Sequence, residues 1–204
     1  MFRLFEEKIL ENHKLYTERI NLFKNYGWNF IQERKSIIKV AEPIIGKILE
    51  IGAGKGYFTL ELAKYNFNFI SIDCSSEELE YALLNLQYYG LQDQVLFKKM
   101  DSENLDFDDN SFDTVFSVNM LHHLEKPYKC IDEMLRVLNK GGKLIISDFT
   151  KKGFEVIDRI HKSEGKTHSV NSVYIEDIKK YLSEKYKEIS RKKTIFQDTI
   201  VVIK

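Results

Sequence analysis

Hydrophobic positions follow two different periods along the chain. From about Leu4 to Val40, apolar residues recur every three to four positions among charged ones, which predicts helix. After Pro43, short apolar runs alternate with amphipathic stretches. The predicted strands are 47–51, 67–72, 95–99, 112–118, 143–149, 186–194 and 199–203. The predicted helices between them are 57–64, 75–89, 127–138 and 175–184, and 150–169 is predicted as a polar loop or a helix.

Strands that alternate with helices predict a mostly parallel sheet with helices on both faces. Local signals agree: Ser75 or Ser76 can cap a helix, Gly90 can end it, and Pro127 suits a first turn. The last two strand-like runs are joined by only 195–198, which is too short for a parallel crossover. We therefore expect one antiparallel strand in an otherwise parallel sheet.

Composition limits the class of protein. A chain of 204 residues, 43% of them hydrophobic, fits one domain. The 31 basic and 31 acidic residues cancel, which argues against a nucleic-acid backbone as the main ligand; only the basic run at Arg191 forms a local patch. Two cysteines do not make a disulfide framework, and no apolar run resembles a signal peptide or a membrane span. We expect a cytoplasmic protein.

A glycine-rich turn is the sharpest motif. Gly52, Gly54 and Gly56 follow a predicted strand and open a predicted helix, where the backbone can approach a ligand closely. Their G-x-G-x-G spacing matches neither the dinucleotide pattern G-x-G-x-x-G nor the Walker pattern. Glu50, two residues before the first glycine, would repel a pyrophosphate but suits the ammonium group of an amino-acid ligand.

Two more carboxylates end the next two predicted strands. Asp73 is placed to accept hydrogen bonds from both ribose hydroxyls. Asp101, followed by Ser102, can accept a hydrogen bond from an adenine amine. Ligands of such sheets bind outside the carboxyl ends of the strands. The three acids together suit a ligand that carries an ammonium group, a ribose and an adenine.

These motifs, in this order, resemble class I S-adenosylmethionine-dependent methyltransferases, and in particular their ubiquinone/menaquinone-biosynthesis-like small-molecule branch. The resemblance spans about Ile48 to Phe149. It rests on Glu50–Gly56, Asp73, Asp101, 112–115, 119–124 and 136–142. It implies an α/β Rossmann-like sheet of seven strands in the order 3-2-1-4-5-7-6, with strand 7 antiparallel and an N-terminal helical extension. It also implies S-adenosylmethionine as the methyl donor and S-adenosylhomocysteine as the product.

The resemblance further implies roles for individual residues. The methionine part of the donor would be held by Glu50 and the loop Gly52, Ala53, Gly54 and Gly56. The ribose would bind Asp73, with Cys74 beside the adenosine; the adenine would meet Asp101 and Ser102; Asn119 and Met120 would line the methyl-bearing end. We expect a single domain, with 1–46 as a helical lid or extension and 47–204 as the core. We also expect substrate choice to lie in the N-terminal segment and in 150–180.

Methyl transfer needs mainly the alignment of acceptor, methyl carbon and sulfur, and a base only if the acceptor must lose a proton. Candidates for the base are His122 and His123 after the fourth strand, Asp148 at the end of the fifth, and His161 and His168 in the segment that follows. The alternatives are that the histidines pack against Pro127 and that Asp148 caps the next segment. His161 and His168 can contact substrate or a metal, but their spacing matches no metal motif, and we expect solvated histidines and no metal.

Two other functions remain open from the sequence. The chain can be a non-catalytic module that keeps the fold and binds S-adenosylmethionine or a partner. It can also be a nicotinamide-dependent oxidoreductase, although the glycine spacing and Glu50 argue against that reading. The interpretation that we favour is a methyltransferase acting on a small-molecule acceptor.

Overall fold

A computed structural model describes residues 2–165 and 173–204, and the strands within these residues form one seven-stranded sheet. The strands are β1 Ile48–Ile51, β2 Phe69–Asp73, β3 Val95–Lys99, β4 Phe112–Val118, β5 Leu138–Phe149, β6 Ile189–Lys193 and β7 Gln197–Ile203. Their order is β3-β2-β1-β4-β5-β7-β6, and β7 runs antiparallel to both of its neighbours. The predicted fold class, strand order and antiparallel strand are confirmed.

Helices cover both faces of this sheet. They are α1 Phe2–Asn25, α2 Phe30–Ala41, α3 Tyr57–Ala63, α4 Ser76–Tyr88, α5 Pro127–Val137, α6 Lys151–Ser163 and α7 Ile175–Ser183. On one face, Ile131 and Met134 of α5 and Ile178 of α7 belong to a buried cluster with the strands. On the other face, Ile38 of α2 and Leu60 of α3 do the same. Because both faces are covered, β1 is buried at all four positions, which explains why three of its four residues are apolar.

The N-terminal segment differs from the expected continuous helix. It is broken after Asn25, where Gly27 takes a left-handed φ of +74°. Asn29 then caps α2, its Oδ1 accepting a hydrogen bond from the Gln32 N–H at 3.1 Å. The break points Trp28 into the core, where it is fully buried and stacks on Phe196 with 4.7 Å between ring centroids. This aromatic contact fastens the N-terminal helices to the C-terminal half of the chain.

Strand β5 is longer than predicted. It begins at Leu138 rather than at Lys143, because Leu138 pairs with Phe112 of β4 before a register shift. The glycine pair that indicated a turn therefore lies within the strand. A Cβ on Gly142 would lie 3.0 Å from the Asp113 backbone oxygen, so the close approach of β4 explains a glycine there.

The segment after β5, predicted as a loop or a helix, contains α6. Thr150 caps it, since its Oγ1 accepts a hydrogen bond from the Gly153 N–H at 3.1 Å. Residues of α1, α2 and α6 line cavities at the carboxyl ends of the central strands. Among the described residues, no helix is both long and apolar enough to span a bilayer.

Candidate active site

The glycine loop is held in a left-handed conformation directly after β1. Gly52, Gly54 and Gly56 have φ values of +83°, +50° and +76°. A Cβ on Gly52 would lie 2.4 Å from the Cγ of Met120, and one on Gly56 would lie 2.7 Å from the Cβ of Ala82. A side chain at Gly52 or Gly56 would therefore be opposed both by the left-handed backbone and by a close contact. At Gly54 only the left-handed backbone favours glycine.

Asp73 fastens this loop to the next strand end. Its Oδ2 accepts a hydrogen bond from the Gly54 N–H at 2.8 Å, and its Oδ1 accepts one from the Ser75 N–H at 2.9 Å. Ser75 in turn caps α4 through the Glu78 N–H at 3.2 Å. A carboxylate offers about four acceptor positions, so both oxygens of Asp73 can accept further hydrogen bonds from a ligand.

A cavity of about 570 Å³ opens beside Asp73, and we call it the outer cavity. This volume is typical of a small-molecule site. Of the residues predicted from the sequence, its lining includes Gly52, Gly54, Asp73, Cys74, Ser102, Asn119, Met120 and His123. The structure thus brings together side chains from the ends of β1, β2 and β4 and from the loop after β3, as the strand-end argument predicted.

Three other predicted residues take supporting positions around this cavity. Gly56 is the N-cap of α3. Asp101 is exposed, and its Oδ1 accepts a hydrogen bond from the Glu103 N–H at 2.9 Å, so that Ser102 rather than Asp101 reaches the lining. Ala53 faces a second cavity, described below.

Glu50 lies within β1 and is only 1% exposed. Its Oε2 accepts a hydrogen bond from the Ser71 hydroxyl at 2.6 Å. Burial raises the pKa of Glu50 to about 7, against the opposing effect of that hydrogen bond. A nearby cationic ligand group would favour the ionised carboxylate. Glu50 is absent from the linings of both cavities that border the glycine loop, so its contact with an ammonium group stays a prediction.

Asn119 directly follows β4 and takes a left-handed conformation with φ of +55°. Its N–H donates to the Ser147 backbone oxygen at 2.8 Å. Its Oδ1 accepts a hydrogen bond from Nε2 of Gln197 at 2.6 Å, and the same nitrogen donates to the Ser147 hydroxyl at 2.9 Å. Gln197, on the antiparallel strand, therefore fixes the side chain that borders both cavities.

A smaller cavity of about 190 Å³ lies next to the outer one, and we call it the inner cavity. Its walls include Phe23, Phe30, Arg34, Tyr57, Asn119 and Phe149. It shares Gly52, Gly54 and Asn119 with the outer cavity, so the two spaces meet at the glycine loop. Helices α1, α2 and α6 each contribute residues to its walls.

The comparison with known proteins agrees with this geometry. A sequence profile of the family described as a methyltransferase domain matches residues 49–146, which contain the glycine loop, Asp73 and Asn119. Residues 49–146 therefore form a domain of the class I S-adenosylmethionine-dependent methyltransferase type. The family resemblance seen in the sequence is therefore confirmed.

Individual methyltransferases resemble parts of this chain. It is 35% identical over 101 residues to a phosphatidylethanolamine N-methyltransferase of Cereibacter sphaeroides, covering 50% of this chain and 49% of that protein. It is 32% identical over 127 residues to a demethylmenaquinone methyltransferase of Clavibacter sepedonicus, covering 62% and 51%. The chain spans about half the length of these curated relatives.

A solved structure supports the fold over nearly the whole chain. A putative S-adenosylmethionine-dependent methyltransferase of Methanococcus maripaludis aligns with a TM-score of 0.71, covering 96% of this chain and 93% of that one. The sequence identity is 20%, so this likeness concerns the fold alone.

The histidines of this methyltransferase domain occupy different environments. His122 is fully buried, and its Nδ1 donates to Oδ1 of Asp148 at 2.6 Å. The same oxygen accepts a hydrogen bond from the Phe149 N–H at 2.8 Å, as expected of an acid that caps the next segment. Within the described residues, the linings of both cavities include His123 and exclude His122 and Asp148.

The two histidines later in the chain also differ in their positions. His161 lies in the last turn of α6 and lines both cavities, whereas His168 lies outside the described residues. Among the residues that the structure describes, no group of three or more His, Cys, Asp or Glu side chains is arranged to hold a metal ion.

Sequence reasoning missed Arg34 and Gln197. Arg34 lies on α2 and is 3% exposed, yet it lines the inner cavity. Its Nη1 donates a long hydrogen bond of 3.4 Å to Oε1 of Gln197. Neither residue belongs to a motif, and only the packing of α2 against β7 places them beside the site.

Proposed function

We propose that this chain transfers a methyl group from S-adenosylmethionine to a small-molecule acceptor. The observation that carries the proposal is the outer cavity, where the glycine loop, the Asp73 carboxylate and the end of β4 converge. When bound, the donor supplies a methyl group on a positively charged sulfur, which is already activated for displacement. The protein then has to bind, orient and shield the reactants.

Residues in and around the outer cavity fit the parts of this donor. Asp73 is suited to accept hydrogen bonds from ribose hydroxyls, because it lines the cavity and each of its oxygens can accept a further hydrogen bond. Cys74 and Ser102 border the space assigned to the adenosine, and Asp101 shapes the turn that presents Ser102. Glu50 lies outside the linings, buried in β1 just before the glycine loop, and we assign its carboxylate to the ammonium group. Asn119 and Met120 border the region assigned to the methyl-bearing end.

We assign the acceptor to the space between the glycine loop and the N-terminal helices. Residues 1–46 would serve as a helical lid over the core 47–204, since α1 contributes Arg19 and Phe23 to the inner cavity. The small volume of that cavity and the zero net charge support a small molecule rather than a nucleic acid. Two free cysteines support a reducing compartment such as the cytosol.

For acceptors that must lose a proton, we assign the base to His123, which lines both cavities. His122 and Asp148 would act behind it, as a buried pair that holds the turn after β4 against the end of β5. Their role is then positional, and acceptors without an acidic proton would need none of the three.

The test is isothermal titration of the purified chain with S-adenosylmethionine, S-adenosylhomocysteine and NADH in one buffer. The proposal predicts saturable binding of the first two and no binding of NADH. NADH binding without binding of the sulfur ligands would support an oxidoreductase and contradict the proposal. Binding of the sulfur ligands without turnover across a panel of phenols, amines, thiols and carboxylic acids would favour the non-catalytic module.

A further inference from the structure

Arg34 is a buried charge without an ionic partner in the part of the chain that the structure describes. Its guanidinium lies over the ring of Phe30, with 3.8 Å from Cζ to the ring centroid. Its single hydrogen bond there is the 3.4 Å contact to Gln197, and the buried Nε has no partner among the described residues. Buried guanidinium groups are normally paired with a carboxylate, since an unpaired buried charge is strongly unfavourable.

The carboxylates nearest to Arg34 are engaged elsewhere. Glu33 accepts a hydrogen bond from the Thr194 hydroxyl at 2.9 Å, and Asp148 is bonded to His122 and to the Phe149 N–H. Burial lowers the pKa of Arg34 to about 10, so the group remains charged at neutral pH. Glu33 and Asp148 stabilise this charge from a distance, but neither forms an ion pair with it among the described residues, so the guanidinium is left for a ligand to pair with.

The inner cavity presents this charge to whatever occupies it. Its lining carries no acidic side chain among the described residues. Arg19 and Lys55 also reach the lining, but Arg19 is paired with Glu164 and Lys55 is exposed. Among the described residues of the lining, Arg34 is therefore the buried cation without an ion pair. The remaining walls are largely aromatic, with Phe23, Phe30 and Phe149 among them.

We propose that the inner cavity is a carboxylate subsite and that Arg34 binds the carboxylate through the fork formed by its Nε and Nη atoms. Such bidentate pairing is the geometry that an arginine supplies and a lysine does not. At about 190 Å³, the cavity is smaller than a complete small-molecule site, so it takes one end of a ligand that continues into the outer cavity.

This inference rests on the proposed function, which supplies two sources for the carboxylate. One is the amino-acid end of the methyl donor. The other is an acidic acceptor, for which the aromatic walls favour an aromatic acid. Either source would place a carboxylate against Arg34. The two sources can be distinguished with pairs of ligands that differ in whether they carry this acid group.

The experiment uses three variants and four probes. R34M removes the charge and keeps an unbranched side chain, R34K keeps the charge without the fork, and R159M is a control at an exposed arginine on α6. S-adenosylhomocysteine is compared with 5′-methylthioadenosine, which lacks the amino-acid end. Benzoate is compared with neutral benzamide on protein saturated with S-adenosylhomocysteine.

If the donor supplies the carboxylate, R34M weakens S-adenosylhomocysteine binding about ten- to hundredfold and leaves methylthioadenosine within twofold. If the acceptor supplies it, benzoate binds the wild type and not R34M, benzamide binds neither, and S-adenosylhomocysteine is unaffected. R34K fails to restore the affinity in either case. The subsite is overturned if R34M changes neither S-adenosylhomocysteine nor benzoate binding.

Failure of the proposed function gives a different result from failure of the carboxylate subsite. In that case the wild type would bind neither S-adenosylhomocysteine nor methylthioadenosine. Benzoate titration of the ligand-free protein would then still test the subsite. Thermal unfolding supplies a second readout. R34M should melt no lower than the wild type, because an apolar side chain replaces an unpaired buried charge. A lower melting temperature with unchanged ligand affinities would assign Arg34 a structural role and contradict the proposal.

Discussion

Replacement of Asp73 by asparagine tests the donor site most sharply among single substitutions. The change keeps the size of the side chain and one acceptor oxygen but removes the charge. The second oxygen, which accepts the Gly54 N–H at 2.8 Å, becomes an NH₂ donor that faces another donor. The variant therefore loses both a ribose acceptor and the bond that ties the glycine loop to β2.

The magnitude follows from the bonds removed. A hydrogen bond to a charged group contributes about 1.5 to 3 kcal/mol, and at least one of the two expected ribose bonds is lost. We expect S-adenosylhomocysteine to bind about 30- to 150-fold more weakly, which corresponds to about 2 to 3 kcal/mol. Loss of the Gly54 bond should lower the free energy of unfolding by about 1 to 3 kcal/mol.

Isothermal titration at 15 to 20 °C, with circular dichroism to confirm folding, measures the first quantity. Urea unfolding measures the second. Asp106→Asn is the matched control, because Asp106 is exposed and lies outside both cavity linings. A D73N protein that is folded and binds S-adenosylhomocysteine within threefold of the wild type would refute the assignment of the ribose to Asp73.

Two further predictions concern stability. Gly56→Ala should lower the free energy of unfolding by about 2 to 5 kcal/mol, because it combines a left-handed residue with a contact against Ala82; Gly90→Ala, where φ is +68° but nothing lies within 4 Å, should lower it by about 1 to 2 kcal/mol. Equal losses in urea unfolding would remove the packing argument. The pKa of Glu50 rises to about 7 on folding, so the folded state binds more protons than the unfolded state between about pH 4.5 and 7. The free energy of unfolding should therefore fall by up to about 3 kcal/mol as the pH is raised across that range. Glu50→Gln should remove this dependence, and an unchanged pH profile of the unfolding free energy in that variant would show that Glu50 is not its source.

The main features of the sheet were predictable because each depends on local pattern. The bounds of β3 and β4 agree with the apolar runs 95–99 and 112–118. The short link 195–198 required the antiparallel pair that the structure shows. The glycine loop and Asp73 were placed correctly at one edge because strand ends in a parallel sheet share that edge.

The direction of individual side chains was not predictable in this way. The end of a strand fixes the position of the following residues only approximately. The conformation of the loop then determines which of two adjacent residues faces the cavity. After β3 it is Ser102 rather than Asp101 that lines the cavity, and after β4 it is His123 rather than His122. The other residue of each pair is engaged in a hydrogen bond, Asp101 with the Glu103 N–H and His122 with Asp148.

Two residues indicate the break in the N-terminal helical segment, but the hydrophobic periodicity continues across it. Gly27 and Asn29 are the residues that end and begin helices, yet the apolar spacing continues across them. Arg34 carried no signal at all. A single arginine on an amphipathic helix is usually exposed, and its burial here depends on Gln197, more than 160 positions away.

The central claim is that the donor occupies the outer cavity with its sulfur directed toward the inner one. A crystal structure of the S-adenosylhomocysteine complex tests this directly. We predict that the ribose hydroxyls lie within hydrogen-bond distance of Asp73, that the adenine lies beside Ser102, and that the sulfur lies near Asn119. A complex with S-adenosylhomocysteine bound elsewhere, or with its adenine in the inner cavity, would contradict the account.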